Sequence, residues 1–168
     1  MIRLKTLLET KISDRSKKVI GFLEVVNVKG IGDIVAKFDT GNGSRSSSLT
    51  YDTAELSKDK KTVNWELGGN KFTSPVIGFS NAEVGDDTHK RPIIKLELQF
   101  DGKTYKDVHI SLVDRKDKST KMLVNREFMD RIGCAVSPNK TFIVTSYDGE
   151  YSAAKSKGSA HSGIKFKK

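Results

Sequence analysis

Cysteine is almost missing from this chain. Its 168 residues hold one, Cys134. That excludes an internal disulfide framework and any zinc site built from several cysteines. Cys134 sits in the apolar run Ile132-Gly133-Cys134-Ala135-Val136 and reads as a buried structural thiol, not a nucleophile. Histidine is scarce too. His89, His109 and His161 lie far apart and form no His-Glu-x-x-His, so no metal is expected. No apolar run approaches the roughly 18 residues of a membrane span. The opening Met1-Ile2-Arg3-Leu4-Lys5 carries charge, but neither a long apolar core nor a small-residue cleavage site follows. No signal peptide is expected, and the expected compartment is the cytoplasm. Phosphate loops are lacking as well. Gly30-Ile31-Gly32 and Gly41-Asn42-Gly43 want the downstream glycine and lysine, so no ATP and no other cofactor is expected.

Acid is absent from residues 151–168, which carry Lys155, Lys157, Lys165, Lys167 and Lys168. The net charge is +9, and removing those five lysines leaves +4 on residues 1–150. The body is mildly basic, and the charge argues for an electrostatic tail more than for a nucleic-acid-binding domain. Rich in Ser, Gly, Ala and Lys, residues 148–168 are expected to be a flexible, disordered basic tail. Two readings stand for it: a solvated end, or an arm that contacts nucleic acid or an acidic protein surface in a salt-sensitive way.

The remainder suits one domain with a core of its own. Residues 1–18 are expected to form an N-terminal helix or arm, because Leu4, Leu7, Leu8 and Ile12 fall at helical spacing. Residues 19–147 have the texture of an all-β barrel or sandwich. Strands are expected at 19–26 and 34–38 around a Gly30 to Asp33 turn. A hairpin is expected at 63–72 around Gly68-Gly69-Asn70. Ile94, Leu96, Leu98 and Phe100 alternate with polar residues, and Asp101-Gly102 turns the chain into 103–109. Residues 110–113 and 122–124 are apolar, 126–132 suits one or two helical turns, and 141–145 is expected to be the last strand. Residues 79–90 read as a surface loop in preference to a mobile flap.

The stretch that carries chemistry is Ile34 to Gly41, an apolar strand ending in Asp39-Thr40-Gly41. The strand would hold the aspartate at its end, the glycine would let the backbone turn, and the threonine hydroxyl could brace the loop. An aspartate so held can face a second one. Two adjacent carboxylates share a proton, and one then acts as base on water while the other acts as acid. The tripeptide alone also fits an ordinary strand-end turn.

Six short segments, in order, extend it. They are Ile20-Gly21 with Glu24-Val25, Ile34 to Gly41, Arg91-Pro92-Ile93-Ile94, Leu112-Val113-Asp114-Arg115, Met122 to Met129, and Val136-Ser137-Pro138. Together they resemble the retropepsin-like aspartic proteases. Within these they are most similar to a small bacterial and phage family once described as ATP-dependent zinc proteases and associated with ATP-grasp peptide ligases. The resemblance spans 19–144. It implies a closed retropepsin-like acid-protease barrel with one short helix. It also implies a hydrolase without cofactor, acting on a peptide or protein substrate. One Asp-Thr-Gly per chain implies a homodimer with Asp39 from each subunit at the two-fold axis, Thr40 bracing the loops and Gly41 giving room to substrate.

Arg91, Asp114 and Arg126 are then substrate-binding or structural candidates. Arg91 would orient an acidic group or simply start a strand, and Asp114-Arg115 reads as an internal ion pair or barrel support. The chain departs from the family's pattern at Asn125, where the family has Gly. Asn is expected to tolerate the left-handed backbone there. The loop from Asn42 to Leu49 is also longer and more polar. These departures motivate a rival expectation: a catalytically inactive structural or assembly module, in a virion if phage-encoded, making contacts through its tail and N-terminal helix.

Overall fold

The computed structural model describes residues 17–84 and 87–148, with side chains placed outside 82–89. The expected N-terminal helix, and the tail beyond residue 148, lie outside the described residues.

Eleven strands and one helix are described. Strand β1 (Lys18–Val28) runs into β2 (Gly32–Phe38), then β3 (Ser47–Leu49). Three strands, β4 (Thr53–Leu56), β5 (Thr62–Leu67) and β6 (Asn70–Pro75), form a separate sheet. Next come β7 (Gly78–Val84), β8 (Asp87–Phe100), β9 (Lys103–Leu112), β10 (Met122–Val124), helix α1 (Arg126–Ile132) and β11 (Cys134–Thr141). The large sheet is ordered β11-β1-β2-β10-β3-β9-β8-β7, and β1 also pairs with β8 through Asn27↔Gln99 and Val28↔Leu98. That pairing closes a barrel of six strands: β1, β2, β10, β3, β9 and β8. Closure pairs both sides of the six barrel strands, and only the flanking β11 and β7 of this sheet keep an edge.

Alternation in sequence becomes alternation in burial. Ile34, Ala36 and Phe38 of β2 point into the barrel, with Val35 and Lys37 outside. They meet Val26 and Val28 of β1, Leu49 of β3, Ile94 and Leu98 of β8, Ile110 and Leu112 of β9, and Met122 and Val124 of β10 in one core. Phe128 and Met129 of α1 plug its side. The β4–β6 sheet adds Trp65, which is buried and stacked on its cross-strand partner Phe72 with ring centroids 4.5 Å apart. The turns expected at 68–69 and 101–102 are two-residue hairpin turns with positive φ at both positions, the geometry that matches strand twist.

Three expectations are corrected. Residues 79–84 and 87–90, expected within a surface loop, are strand: β7 and the first half of β8 pair antiparallel from Gly78↔Ile93 to Val84↔Asp87. The last strand is not 141–145 but Cys134–Thr141, which lies parallel to β1. Pro138 is tolerated because β11 is an edge strand. Phe142, at φ 50°, ends it, and 143–145 turn instead onto the carboxylate of Glu24. Asn125 is not left-handed. Its φ of −89° and ψ of 169° are extended, because it caps a helix and does not form a turn.

Candidate functional site

Asp39 follows the last residue of β2. Val124 of β10 pairs with Phe38, and the Asp39 N–H donates to the Val124 carbonyl at 3.1 Å. The aspartate therefore leaves the barrel from two adjacent parallel strand ends and is partly exposed. Its Oδ1 accepts the Gly41 N–H at 3.0 Å, and its carbonyl accepts the Asn42 N–H at 2.9 Å. A Cβ on Gly41 would stand 3.2 Å from that same carboxylate oxygen, so glycine keeps the loop close to it. Thr40 and Gly41 face outward and are exposed.

Beneath this loop lies a bracing network that the sequence reading did not isolate. Asn125 is 2% exposed. Its Oδ1 accepts from the Phe128 N–H at 3.1 Å, capping α1, and from the Ser47 hydroxyl at 2.9 Å. Its Nδ2 donates to the Ser44 carbonyl at 2.7 Å. The Ser47 hydroxyl in turn accepts the Asn125 N–H at 3.1 Å. The Arg126 N–H donates to the Asn42 carbonyl at 3.0 Å. The polar loop from Asn42 to Leu49 is thus tied to Asn125. Glycine at 125 could supply none of the side-chain bonds. The signal was legible: an Asn immediately before a helical stretch is an N-cap.

The other candidates divide between two places. The guanidinium of Arg126 lies against Gly43, where a Cβ would collide with it, so Arg126 belongs to the Asp39 loop. Arg91 and Asp114 come together elsewhere, in a cavity of about 490 Å³ with Lys90, Tyr51 and an apolar wall that includes Val63 and Leu112. Asp39 does not line it. Leu112 pairs with Leu49, so Asp114 follows the end of β3 remote from Ser47 and Asn125. Asp114 Oδ1 accepts the Lys116 N–H at 3.1 Å. Arg115 Nε donates to the Thr120 carbonyl at 3.0 Å, bracing the β9–β10 loop.

Cys134, expected to be buried, is half-buried, and that burial pushes its thiol up to about 11. Among the described residues no cluster of His, Cys, Asp or Glu could hold a metal ion, and no helix is long and apolar enough to cross a membrane.

Fold and site together define a closed six-stranded β-barrel that carries a braced acidic loop at two parallel strand ends. No family model and no curated protein matches the chain. Among solved structures, it is similar to a Legionella pneumophila protein of unknown function (DUF785). The TM-score is 0.61 at 22% identity, over 77% of this chain and 100% of that one. At that identity the likeness is one of fold.

Proposed function

We propose that the protein is an aspartic endopeptidase that works as a homodimer. The observation that carries this reading is the Asp39 loop: a partly exposed carboxylate at a strand end, held by the Gly41 N–H and backed by buried hydrogen bonds through Asn125. Such a group is placed before substrate arrives, which is what acid–base catalysis needs. One chain supplies one such aspartate, so the dyad needs a second copy. The outward faces of Thr40 and Gly41 suit an approach of two loops.

In the dyad, one Asp39 is ionised and takes a proton from water as the water oxygen attacks the peptide carbonyl. Asp39 of the partner subunit, protonated, gives its proton to the carbonyl oxygen. The tetrahedral intermediate then collapses: the first Asp39 gives the proton it took from water to the amide nitrogen, a hydroxyl of the intermediate returns a proton to the partner's Asp39, and the C–N bond breaks to release the amine and the carboxylic acid. The singly protonated pair is the active form, so the rate should fall on both the acid and the alkaline side.

Cleavage of a peptide library by the full chain, at high protein concentration and from about pH 4 to about pH 7.5, tests the reading. Asp39→Asn should lower the rate by about a thousandfold or more while the protein stays folded and dimeric. Folded, dimeric wild-type protein that cleaves nothing would overturn it. A chain that stays monomeric at every concentration could not form the dyad, and the barrel would then be a non-catalytic module.

A further inference from the structure

We propose that Asn42-Gly43 is a self-modification site: without an enzyme, the folded loop converts Asn42 into aspartate and isoaspartate, three residues from Asp39. The chain has seven asparagines, at 27, 42, 64, 70, 81, 125 and 139, and Asn42 is the one followed by glycine. Conversion starts when the next residue's backbone nitrogen attacks the side-chain amide carbon, and a side chain on that next residue obstructs the attack. The other six asparagines precede Val28, Trp65, Lys71, Ala82, Arg126 and Lys140. Asn27, Asn64, Asn70, Asn81 and Asn139 also lie in the paired strands β1, β5, β6, β7 and β11. Asn125 is buried, with both polar atoms of its side chain bound.

Three features of the loop favour the reaction. The reacting atoms are unencumbered: Gly43 is exposed and Asn42 partly so. Among the described residues, neither the Gly43 N–H nor Asn42 Nδ2 has a hydrogen-bond partner. Second, negative charge develops on Asn42 Oδ1 as the Gly43 nitrogen bonds to Cγ, and Oδ1 already accepts the Ser44 N–H at 3.1 Å. A donor set in place where an oxyanion forms stabilises the transition state. Third, the Arg126 guanidinium lies against Gly43, and a cation there favours loss of the amide proton. One bond opposes the reaction. The Asn42 carbonyl accepts the Arg126 N–H at 3.0 Å, and the peptide rotation that brings the Gly43 nitrogen onto Cγ breaks it. That bond is a latch, and the rate follows its opening.

The chemistry needs only water. Water or hydroxide takes the Gly43 amide proton, the Gly43 nitrogen bonds to Asn42 Cγ, and the Cγ–Nδ2 bond breaks. Nδ2 takes a proton from solvent and leaves as ammonia, and a succinimide ring remains. Water then adds to one ring carbonyl. Opening at the side-chain carbonyl gives aspartate. Opening at the main-chain carbonyl gives isoaspartate, whose backbone runs through the former side chain and is longer by a methylene. The Asn42 N–H donates to the Asp39 carbonyl in a β-turn, which keeps the two Cα atoms within about 7 Å. Either product therefore adds a negative charge beside Asp39 and disfavours its ionised form. Isoaspartate also displaces the carbonyl that the Arg126 N–H holds. The change is one-way and depends on time alone, so the Asp39 loop carries a clock. The inference does not rest on any reaction at Asp39.

The test is incubation of the folded full chain at mildly alkaline pH, with samples digested at intervals for mass spectrometry that separates aspartate from isoaspartate. A sample digested at once sets the zero. Position 42 should gain both products at least about tenfold faster than any other asparagine. Gly43→Ala places a methyl against the mobile end of Arg126, which can move aside, and should slow conversion at least about tenfold. Asn42→Gln, whose larger ring closes more slowly, should convert at least about tenfold more slowly too. Asp39→Asn should convert at 42 as wild type does. Conversion at 42 no faster than at the other asparagines, conversion seen only after unfolding in urea, or a wild-type rate in both Gly43→Ala and Asn42→Gln would each overturn the proposal.

Discussion

Replacing Glu24 by Gln should destabilise the fold by about 2–4 kcal/mol, although the two side chains have nearly the same shape. Glu24 is fully buried in β1. Its charge is met by five donors, none of them a cation. Oε1 accepts from the N–H groups of Gly21 at 2.7 Å, Ile143 at 2.8 Å and Val144 at 3.3 Å. Oε2 accepts from the Thr145 N–H at 3.1 Å and the Thr145 hydroxyl at 2.5 Å. The amide of a glutamine would keep one acceptor and turn the other position into a donor. In its better orientation, that amide would leave the Thr145 N–H facing an N–H. In its worse orientation three backbone donors would be stranded. A hydrogen bond to a charged group contributes about 1.5–3 kcal/mol, and a stranded buried donor costs about 1–3 kcal/mol. The neutral amide recovers part of that, because no charge has to be desolvated. The assay is urea denaturation combined with native-state amide exchange. The amides of Gly21, Ile143, Val144 and Thr145 should lose protection before those of Val26 and Ile110. A loss below about 0.5 kcal/mol, with those four amides still protected, would refute the reasoning.

Gly21→Ala should cost roughly 1–3 kcal/mol by the same measurement, because its Cβ would stand 2.9 Å from the Lys140 carbonyl oxygen, the Thr141 Cα and the Phe142 nitrogen, all backbone of the facing chain. Asn125→Ala should cost about 2–3 kcal/mol, since it removes the cap of α1 and strands the Ser47 hydroxyl; in a peptidase assay it should also lower kcat, by loosening the Asp39 loop. Asp39→Asn should change stability by less than about 0.5 kcal/mol, because the amide oxygen can still accept the Gly41 N–H; denaturation midpoints check this. Cys134, with its thiol pushed up to about 11 by burial, should react slowly with iodoacetamide near pH 8 and fast once unfolded. The folded state holds that proton more tightly than the unfolded state. The stability it contributes is therefore present below an ordinary thiol pKa and lost as pH rises through about 11, which denaturation midpoints measured along that alkaline range would show.

Period-2 patterns made the barrel strands readable. Ile34, Ala36 and Phe38, or Ile94 and Leu98, bury one face and leave the other wet, and a chain that alternates this way has one register that fits a core. The paired turn residues at 68–69 and 101–102 were readable for a local reason, as was the brief helix after Asn125. What the sequence hid was short or non-local. Ser47–Leu49 carries too few residues for a period and is buried on both sides, so its polar serines look like loop. The sequence from Phe79 to Lys90 is rich in polar residues and shows no clean alternation, and only the pairing of 78–84 with 87–93 reveals the strands there.

The misplaced last strand is the most instructive case. Thr141 to Thr145 has β-branched and aromatic residues, the composition of a strand, while Cys134 to Thr141 contains Pro138 and polar residues. Propensity therefore favours the wrong segment. The choice is settled by Glu24, more than a hundred residues away, whose carboxylate binds the N–H groups of 143–145 directly. A strand ladder there would have to compete with charge-assisted bonds to a buried anion, and those are the stronger. A lone glutamate among Phe22, Leu23, Val25 and Val26 is a local conflict in an otherwise apolar strand. The conflict was itself the signal that backbone donors from elsewhere had to close over it.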